Sequence, residues 1–283
     1  MERQMADSAG KGRARGANLE YAIGLARALA GALIFAFPLV MTMEMWWIGF
    51  YIAPLRLFLF LLLGLGMLAG LAYYSGFEPS DGVLDAVLDG LVAFGVGFLC
   101  SLAVLWMLGL LDGEMGWRGA VGMVAIQAVP AGIGAVAARQ QFGDASGEGK
   151  QDRAGYPAQL FLMAAGALFL AFNVAPTEEM ILITFKMSPR QVLGLAAISI
   201  LLLHLLVYTV GFAGQERFPE GAGFWSTFFT YTLVGYAIAL LLSAYVLWTF
   251  GRTDGTAPEL VVMMSVVLGF PAALGAAIAR LVV

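Results

Sequence analysis

The chain has 283 residues, of which 61% are hydrophobic and 12% are charged, and its mean hydropathy is +0.87. Soluble domains are about half apolar and a quarter charged, so this composition excludes a water-soluble globular domain. The net charge of −4 provides no basic surface for nucleic acid, and a single cysteine and a single histidine exclude a disulfide framework and a histidine-cluster zinc site.

Long apolar runs predict an all-α polytopic membrane protein with eight transmembrane helices. A helix needs about 20 apolar residues to cross a hydrocarbon core of roughly 30 Å. The runs that meet this length extend over residues 22–51, 54–76, 83–110, 118–139, 157–184, 190–213, 223–250 and 258–282. We interpret the first run as an uncleaved span, because its apolar stretch is too long for the core of a signal peptide.

These runs divide the chain into four predicted parts. Residues 1–20 form a cytoplasmic N-terminal tail, and residues 21–139 form a first four-helix repeat. Residues 140–156, rich in glycine and charged residues, form a cytoplasmic linker, and residues 157–283 form a second four-helix repeat. This topology places ten Lys and Arg residues on the cytoplasmic side and five outside. The bias favours a multi-pass protein of the bacterial inner (plasma) membrane with both termini in the cytoplasm.

The two predicted repeats rest on an internal sequence match. Residues 30–77 align with residues 165–212 without a gap, at a constant offset of 135, and 17 of the 48 positions are identical. The register continues at offsets of 142 and then 141 over the later spans. The matched pairs include Thr42 and Thr177, Glu44 and Glu179, Pro54 and Pro189, and Trp106 and Trp248.

The number of spans in each repeat determines how the repeats are related. Four is an even number, so both repeats enter the membrane from the same side. We therefore expect a pseudo-twofold axis along the membrane normal, as in transporters built from parallel repeats. The interface between the repeats, near this axis, is the expected place for a pathway.

The strongest candidates for an ion-binding site are the aligned carboxylates Glu44 and Glu179. A carboxylate within a span costs about 2.5–3.5 kcal/mol on insertion scales, so it indicates a function. Carboxylate, hydroxyl, amide and freed carbonyl oxygens are hard ligands that suit a small cation or a proton. The predicted pathway residues are Glu44, Glu179, Glu178, Thr42, Thr177 and Asn173, and the predicted helix-breaking residues are Pro38 and Pro176.

Other interpretations of these residues remain open. Glu44 and Glu179 could line a wet vestibule, or could pair with Arg56, Arg190 or Lys186 to hold a hairpin together. The protein would then be a structural or sensor subunit that acts through a partner. His204, within the sixth span, is either a buried neutral imidazole bonded to a neighbouring helix or a proton relay.

No residue pattern predicts an enzyme, because the sequence has neither a nucleophile motif nor a nucleotide-binding loop. We expect no cofactor, and the sequence does not identify a metal. The expected partners are the lipid bilayer and a small cation or proton, with nucleic acid excluded and a homo-oligomer left open. The favoured function is therefore ion transport, by a channel or a secondary transporter.

The segment that contains residues 31–35, 38–39 and 42–47 carries a family resemblance. Its residues Gly-Ala-Leu-Ile-Phe, Pro-Leu and Thr-Met-Glu-Met-Trp-Trp, within an eight-span duplicated plan, resemble an uncharacterised family of bacterial integral membrane proteins. The likeness extends over nearly the whole chain outside the N-terminal tail and the central linker. It implies a membrane location and a topology, but no substrate.

Overall fold

The computed structural model describes residues 22–35, 37–75, 82–111, 115–142, 155–209 and 224–282. Within these ranges the chain is helical, with short turns and no strand. The predicted cytoplasmic tail lies outside the described residues, and so does most of the predicted linker.

Ten helices follow one another in the described part of the chain, and residues 37–40 are helical as well. The helices are α1 (Ala22–Phe35), α2 (Met43–Tyr51), α3 (Pro54–Ser75), α4 (Val83–Met107), α5 (Trp117–Phe142), α6 (Tyr156–Val174), α7 (Glu178–Lys186), α8 (Pro189–Thr209), α9 (Phe224–Thr249) and α10 (Pro258–Val282). Three of them begin at a proline, a residue whose fixed φ angle and missing N–H suit the first helical position.

Seven of these helices are long and apolar enough to cross a membrane, namely α3, α4, α5, α6, α8, α9 and α10. The eighth predicted span, over residues 22–51, is not one continuous helix. It consists of the shorter apolar helix α1 and the nine-residue α2, which are separated at Met41 and Thr42. The predicted helix over residues 157–184 is likewise divided into α6 and α7 by a turn at residues 175–177.

The two interruptions have a local chemical cause. Each break follows or contains a proline, which removes a backbone N–H from the helix. Each also ends at a threonine whose hydroxyl donates to a carbonyl in the preceding turn: Thr42 to Pro38 O at 3.0 Å, and Thr177 to Val174 O at 2.8 Å. Such a bond offers the backbone an alternative to continuing the helix.

One long helix lies at the centre of each half of the molecule. In the N-terminal half (residues 22–142), α5 packs against α2, α3 and α4. In the C-terminal half (residues 155–282), α10 packs against α6, α7, α8 and α9. Both central helices contain a proline, Pro130 in α5 and Pro271 in α10.

Glycines bring the first helix of each half against its central helix. A methyl group on Gly31 of α1 would overlap the carbonyl oxygen of Gly134 in α5. A methyl group on Gly166 of α6 would overlap the carbonyl oxygen of Gly275 in α10 in the same way. Small residues allow this close approach, which drives helix packing in lipid, where hydrophobic burial contributes little.

The helices α4 and α9 also end alike. Each is followed by a glycine with a left-handed backbone, Gly109 at φ 71° and Gly251 at φ 73°. The N–H of the next residue bonds to the carbonyl five residues earlier, at 3.0 Å after α4 and at 2.9 Å after α9. This is the Schellman arrangement, in which glycine avoids the strain that a Cβ atom would bring.

Aromatic rings fill the interface between the two halves. The contacts extend along α3 from Phe60, in its second turn, to Tyr74, in its last turn. The ring pairs across the interface are Phe60 with Phe172 (5.2 Å between centroids), Phe60 with Phe250 (6.0 Å), Phe35 with Phe169 (5.0 Å) and Tyr74 with Phe161 (5.3 Å). The expected pathway at this interface is therefore occupied by packed side chains in the described structure.

Candidate functional site

The predicted site residues lie at the two helix breaks. Thr42 is the N-cap residue of α2, and Thr177 is the N-cap residue of α7, both with an extended backbone. Neither hydroxyl caps the helix that follows, since each donates backwards to the preceding turn. The lone pairs of both hydroxyl oxygens therefore remain available to a ligand.

The three candidate carboxylates occupy the first turn of the helix after each break. Glu44 begins α2 and is half-buried, whereas Glu178 and Glu179 begin α7 and are exposed. A negative charge in this position is stabilised by the helix dipole. None of the three forms a salt bridge with a described residue.

Helix packing does not bring the carboxylates of the two halves together into one site. α2 packs against α5 in the N-terminal half, and α7 packs against α10 in the C-terminal half. Met45 and Met180, the residues that follow Glu44 and Glu179, are both buried and anchor the two short helices. Each half thus holds its own break and its own acidic turn.

The ion pairs considered for a structural role do not form among the described residues. Arg56 instead pairs with Asp254, in the loop between α9 and α10, through two hydrogen bonds of 2.7 and 2.6 Å. The guanidinium carbon also lies 5.0 Å from the centre of the Trp248 ring. Arg56 therefore joins the two halves instead of neutralising Glu44.

The second break contains an arginine that the sequence alone does not reveal. Arg252, in the loop between α9 and α10, donates a hydrogen bond from Nη2 to the carbonyl oxygen of Pro176. A positive charge is favoured at this point because α6 ends here with its carbonyl groups exposed. Asn173, one turn earlier, donates from Nδ2 to Phe169 O at 2.8 Å and leaves its own side-chain oxygen as an acceptor.

The N-terminal half contains a different buried polar residue, which sequence reasoning also missed. Gln127 of α5 is fully buried, and neither its Oε1 nor its Nε2 has a hydrogen-bond partner among the described residues. In the sequence, Gln127 is a single amide within an apolar run. The only feature that could have identified it is its position within a span, because a polar side chain in the membrane is costly.

His204 of α8 is buried, and its Nδ1 lies 2.7 Å from the hydroxyl oxygen of Thr232 in α9. Thr232 belongs to a π-helical turn over residues 228–232, a local widening that often accompanies functional sites. The rings of Phe224 and Phe228 pack edge-on against the imidazole at 4.5 and 5.3 Å. The aligned residues of the N-terminal half, Ala69 and Gly90, also contact each other.

Among the described residues, no three His, Cys, Asp or Glu residues lie close enough to one another to hold a metal ion. The available ligands are instead isolated carboxylates and neutral oxygens at the breaks. Such a set suits a monovalent cation or a proton better than a transition metal.

Comparison with known families places the whole helical region in one group. The chain belongs to the family described as "Putative integral membrane protein (DUF2391)", which matches residues 24–283. No curated protein and no solved structure matches the chain. The protein is therefore an integral membrane protein with several spans, and the family description names no substrate.

Proposed function

We propose that this family member is an ion transport protein, a channel or secondary transporter that moves a small cation or protons across the bacterial inner membrane. The observation that carries the proposal is a broken helix in each half, followed two residues after its threonine by a carboxylate, Glu44 or Glu179. Carboxylates without a cationic partner are costly near a membrane, and a bound cation or proton would compensate the charge.

The proposal includes two parallel repeats of four crossings, with α1 and α2 together forming the first crossing. The repeat arrangement is supported by matching contacts between aligned residues: Gly31 packs against Gly134, and the aligned Gly166 packs against the aligned Gly275. The left-handed glycines Gly109 and Gly251 also stand at the aligned offset of 142. An even number of crossings would place both termini on the same side, and the distribution of Lys and Arg favours the cytoplasmic side.

Discontinuous helices are suited to ion binding. At a break, the carbonyl groups that end one half-helix lack helical partners and are held at a fixed position inside the protein. In the C-terminal half, Asn173, Thr177 and the pair Glu178 and Glu179 add oxygen ligands around such carbonyls. In the N-terminal half, Thr42 and Glu44 supply the corresponding groups.

The separation of the two breaks refines the transport proposal. Because α2 and α7 pack on different central helices, we infer that the two breaks act separately instead of forming one site shared across the pseudo-axis. The aromatic rings between the halves favour a carrier that alternates between conformations over a permanently open channel.

The same aromatic packing favours a second candidate, a structural or sensor subunit that transports nothing. In that case the breaks would shape the outer surface of the protein, and Glu178 and Glu179, which are exposed, would contact a partner.

Ion flux in proteoliposomes separates these candidates. Purified wild type and the double variant Glu44→Gln/Glu179→Gln are compared under imposed H⁺, Na⁺, K⁺ and Ca²⁺ gradients. The matched control is Glu259→Gln, because Glu259 also stands in the first turn of a helix, α10, but follows no break. We expect flux in the wild type and in the control, and its loss in a folded double variant.

The opposite result would move the assignment to the structural subunit. That outcome is an absence of flux for every ion in the wild type, together with a lower melting temperature as the sole effect of the double substitution.

A further inference from the structure

Gln127 is a buried polar residue to which the proposed function assigns no role. Its side chain is fully buried near the middle of the central helix α5, between Ile126 and Ala128, which are fully buried as well. Both of its amide atoms lack a partner among the described residues. Since buried amides almost always form hydrogen bonds, this side chain indicates a ligand or a water molecule beside it.

Helical geometry shows which part of the chain Gln127 faces. Met123 lies four residues before it and Gly134 seven residues after it, so all three share one face of α5. The Cα atom of Met123 lies against Gly49 of α2, and Gly134 lies against Gly31 of α1. Gln127 is therefore directed at the chain between Gly31 and Gly49, which contains the first helix break.

The apolar contacts around the break agree with this placement. Val40, immediately before the break, clusters with Met123 and Val124, the residues one turn before Gln127 on α5. The amide is therefore directed at the face of α5 that packs against the chain on both sides of the break.

The break contains several oxygen atoms that can bind a cation. The carbonyl groups at the end of the first half-helix lack part of their helical bonding, and the helix dipole makes this end negative. The Thr42 hydroxyl donates its proton to Pro38 O and keeps its lone pairs free. Glu44, two residues later, adds a carboxylate that forms no salt bridge with a described residue.

The break in the C-terminal half shows how the negative end of a half-helix is compensated. There, a positive group is built in, because Arg252 donates to the Pro176 carbonyl. The residue aligned with Arg252 is Leu110, and the residue aligned with Gln127 is the fully buried Leu268. The second break therefore has a guanidinium and an apolar residue at the aligned position of α10, whereas the first has an amide on α5 and, among the described residues, no bonded arginine or lysine.

We propose that the first break binds a monovalent metal cation in the position that the Arg252 guanidinium occupies at the second. Gln127 Oε1, Thr42 Oγ1 and the carbonyl groups that end the first half-helix coordinate the ion, and Glu44 balances its charge. The inference deepens the proposed function, and the part of this ion in transport rests on that function. Binding itself is measurable without flux.

The test is thermal unfolding of the purified full chain in detergent, in NaCl, KCl or choline chloride at constant ionic strength. A ligand that binds the folded state alone raises the melting temperature with its concentration. We expect a saturating increase of several degrees in Na⁺ or K⁺ relative to choline. Gln127→Leu should abolish this increase, whereas the reciprocal control Leu268→Gln should retain it.

Gln127→Leu is expected to fold, because leucine already fills the aligned position of the C-terminal half. Its melting temperature in choline should equal or exceed that of the wild type, since it removes a buried amide without a partner. Equal melting temperatures of the wild type in alkali-metal and choline salts would overturn the proposal. A full salt-dependent increase in Gln127→Leu would overturn it as well.

The result of the thermal-unfolding experiment can be distinguished from the result of the flux experiment. A cation-dependent increase without flux keeps the binding site and rejects transport. Flux that depends on Glu44 and Glu179, without any cation-dependent increase, rejects the binding site and keeps transport.

Discussion

Arg56 at the start of α3 and Asp254 in the loop between α9 and α10 form a two-pronged salt bridge, although 198 residues separate them in the chain. One turn further along α3, Phe60 packs against Phe172 and Phe250. The ion pair therefore closes one end of the aromatic interface between the two halves.

The pH dependence of this pair follows from its geometry. Hydrogen bonds from Arg56 hold the pKa of Asp254 below its ordinary value of 3.8. A lowered pKa in the folded state means that the pair contributes stability above the unfolded pKa and loses it as the pH falls through the folded pKa. Since Asp254 is 58% exposed, the contribution is at most about 1 kcal/mol.

We therefore expect Asp254→Asn to lower the melting temperature slightly at pH 7 and to have a smaller effect at pH 3, where the contribution of the ionised carboxylate has begun to be lost. The measurement is thermal unfolding of wild type and variant across this range. A difference that persists unchanged at pH 3 would show that Asp254 acts through packing or loop conformation, without a contribution from its charge.

The glycine contacts predict which substitutions the helix packing does not tolerate. Gly31→Ala should lower the free energy of unfolding by about 1–3 kcal/mol, because its methyl group overlaps the backbone of α5 at Gly134. Gly166→Ala should have a similar effect against α10. The control is Gly66→Ala in α3, where a methyl group meets no atom within 4 Å.

Unfolding in detergent measures the three variants side by side. Gly66→Ala should be neutral or stabilising, since alanine favours helix over glycine by roughly 1 kcal/mol. If Gly31→Ala matched this control, α1 and α5 would be further apart than the structure shows.

The bond at the second break makes Arg252 a stabilising residue. Arg252→Leu, which installs the residue found at the aligned Leu110, should lower the free energy of unfolding by about 1.5–3 kcal/mol, the range for hydrogen bonds to charged groups. Arg252→Lys keeps the charge and should recover part of the loss. Thermal unfolding provides the comparison, and equal stability of Leu and Lys variants would exclude a role of the charge at Pro176.

The sequence predicted the membrane class and the helices outside the breaks because these depend on local composition. Apolar runs with proline or glycine at their ends determine where a helix can lie, and seven of the expected spans appear as long helices. The first span differs because its apolar run continues through the break, and only the proline that we expect to break the helix, Pro38, indicates the interruption. Pro38 and the back-bonding hydroxyl of Thr42 interrupt the helix without any polar segment.

The partners of the candidate site residues were less predictable. Arg56 is close in sequence to Glu44, yet it pairs with Asp254, because helix packing across the two halves brings these residues together. Arg252 was not identified, since it bonds to a break 76 residues earlier in the chain. Sequence spacing carries no information about contacts at that distance.

The final prediction concerns the pair His204 and Thr232, which replaces the aligned contact between Ala69 and Gly90. Thr232→Val removes the hydroxyl that bonds to His204 Nδ1 and should lower the free energy of unfolding by about 1–3 kcal/mol. His204→Ala alone removes the imidazole from its contacts with Phe224 and Phe228 and should also be destabilising. Because the two side chains are in contact, the double variant His204→Ala/Thr232→Val should lose less stability than the sum of the single variants.

A double-mutant cycle by thermal unfolding measures this coupling, and flux in proteoliposomes decides between the two interpretations of His204, a buried neutral imidazole and a proton relay. If His204 relays protons, His204→Ala should abolish proton flux, whereas Thr232→Val, which keeps the imidazole, should retain a part of it. Stability losses that simply add would contradict the coupling. Unchanged proton flux in a folded His204→Ala variant would leave the imidazole as a packing residue of the C-terminal half.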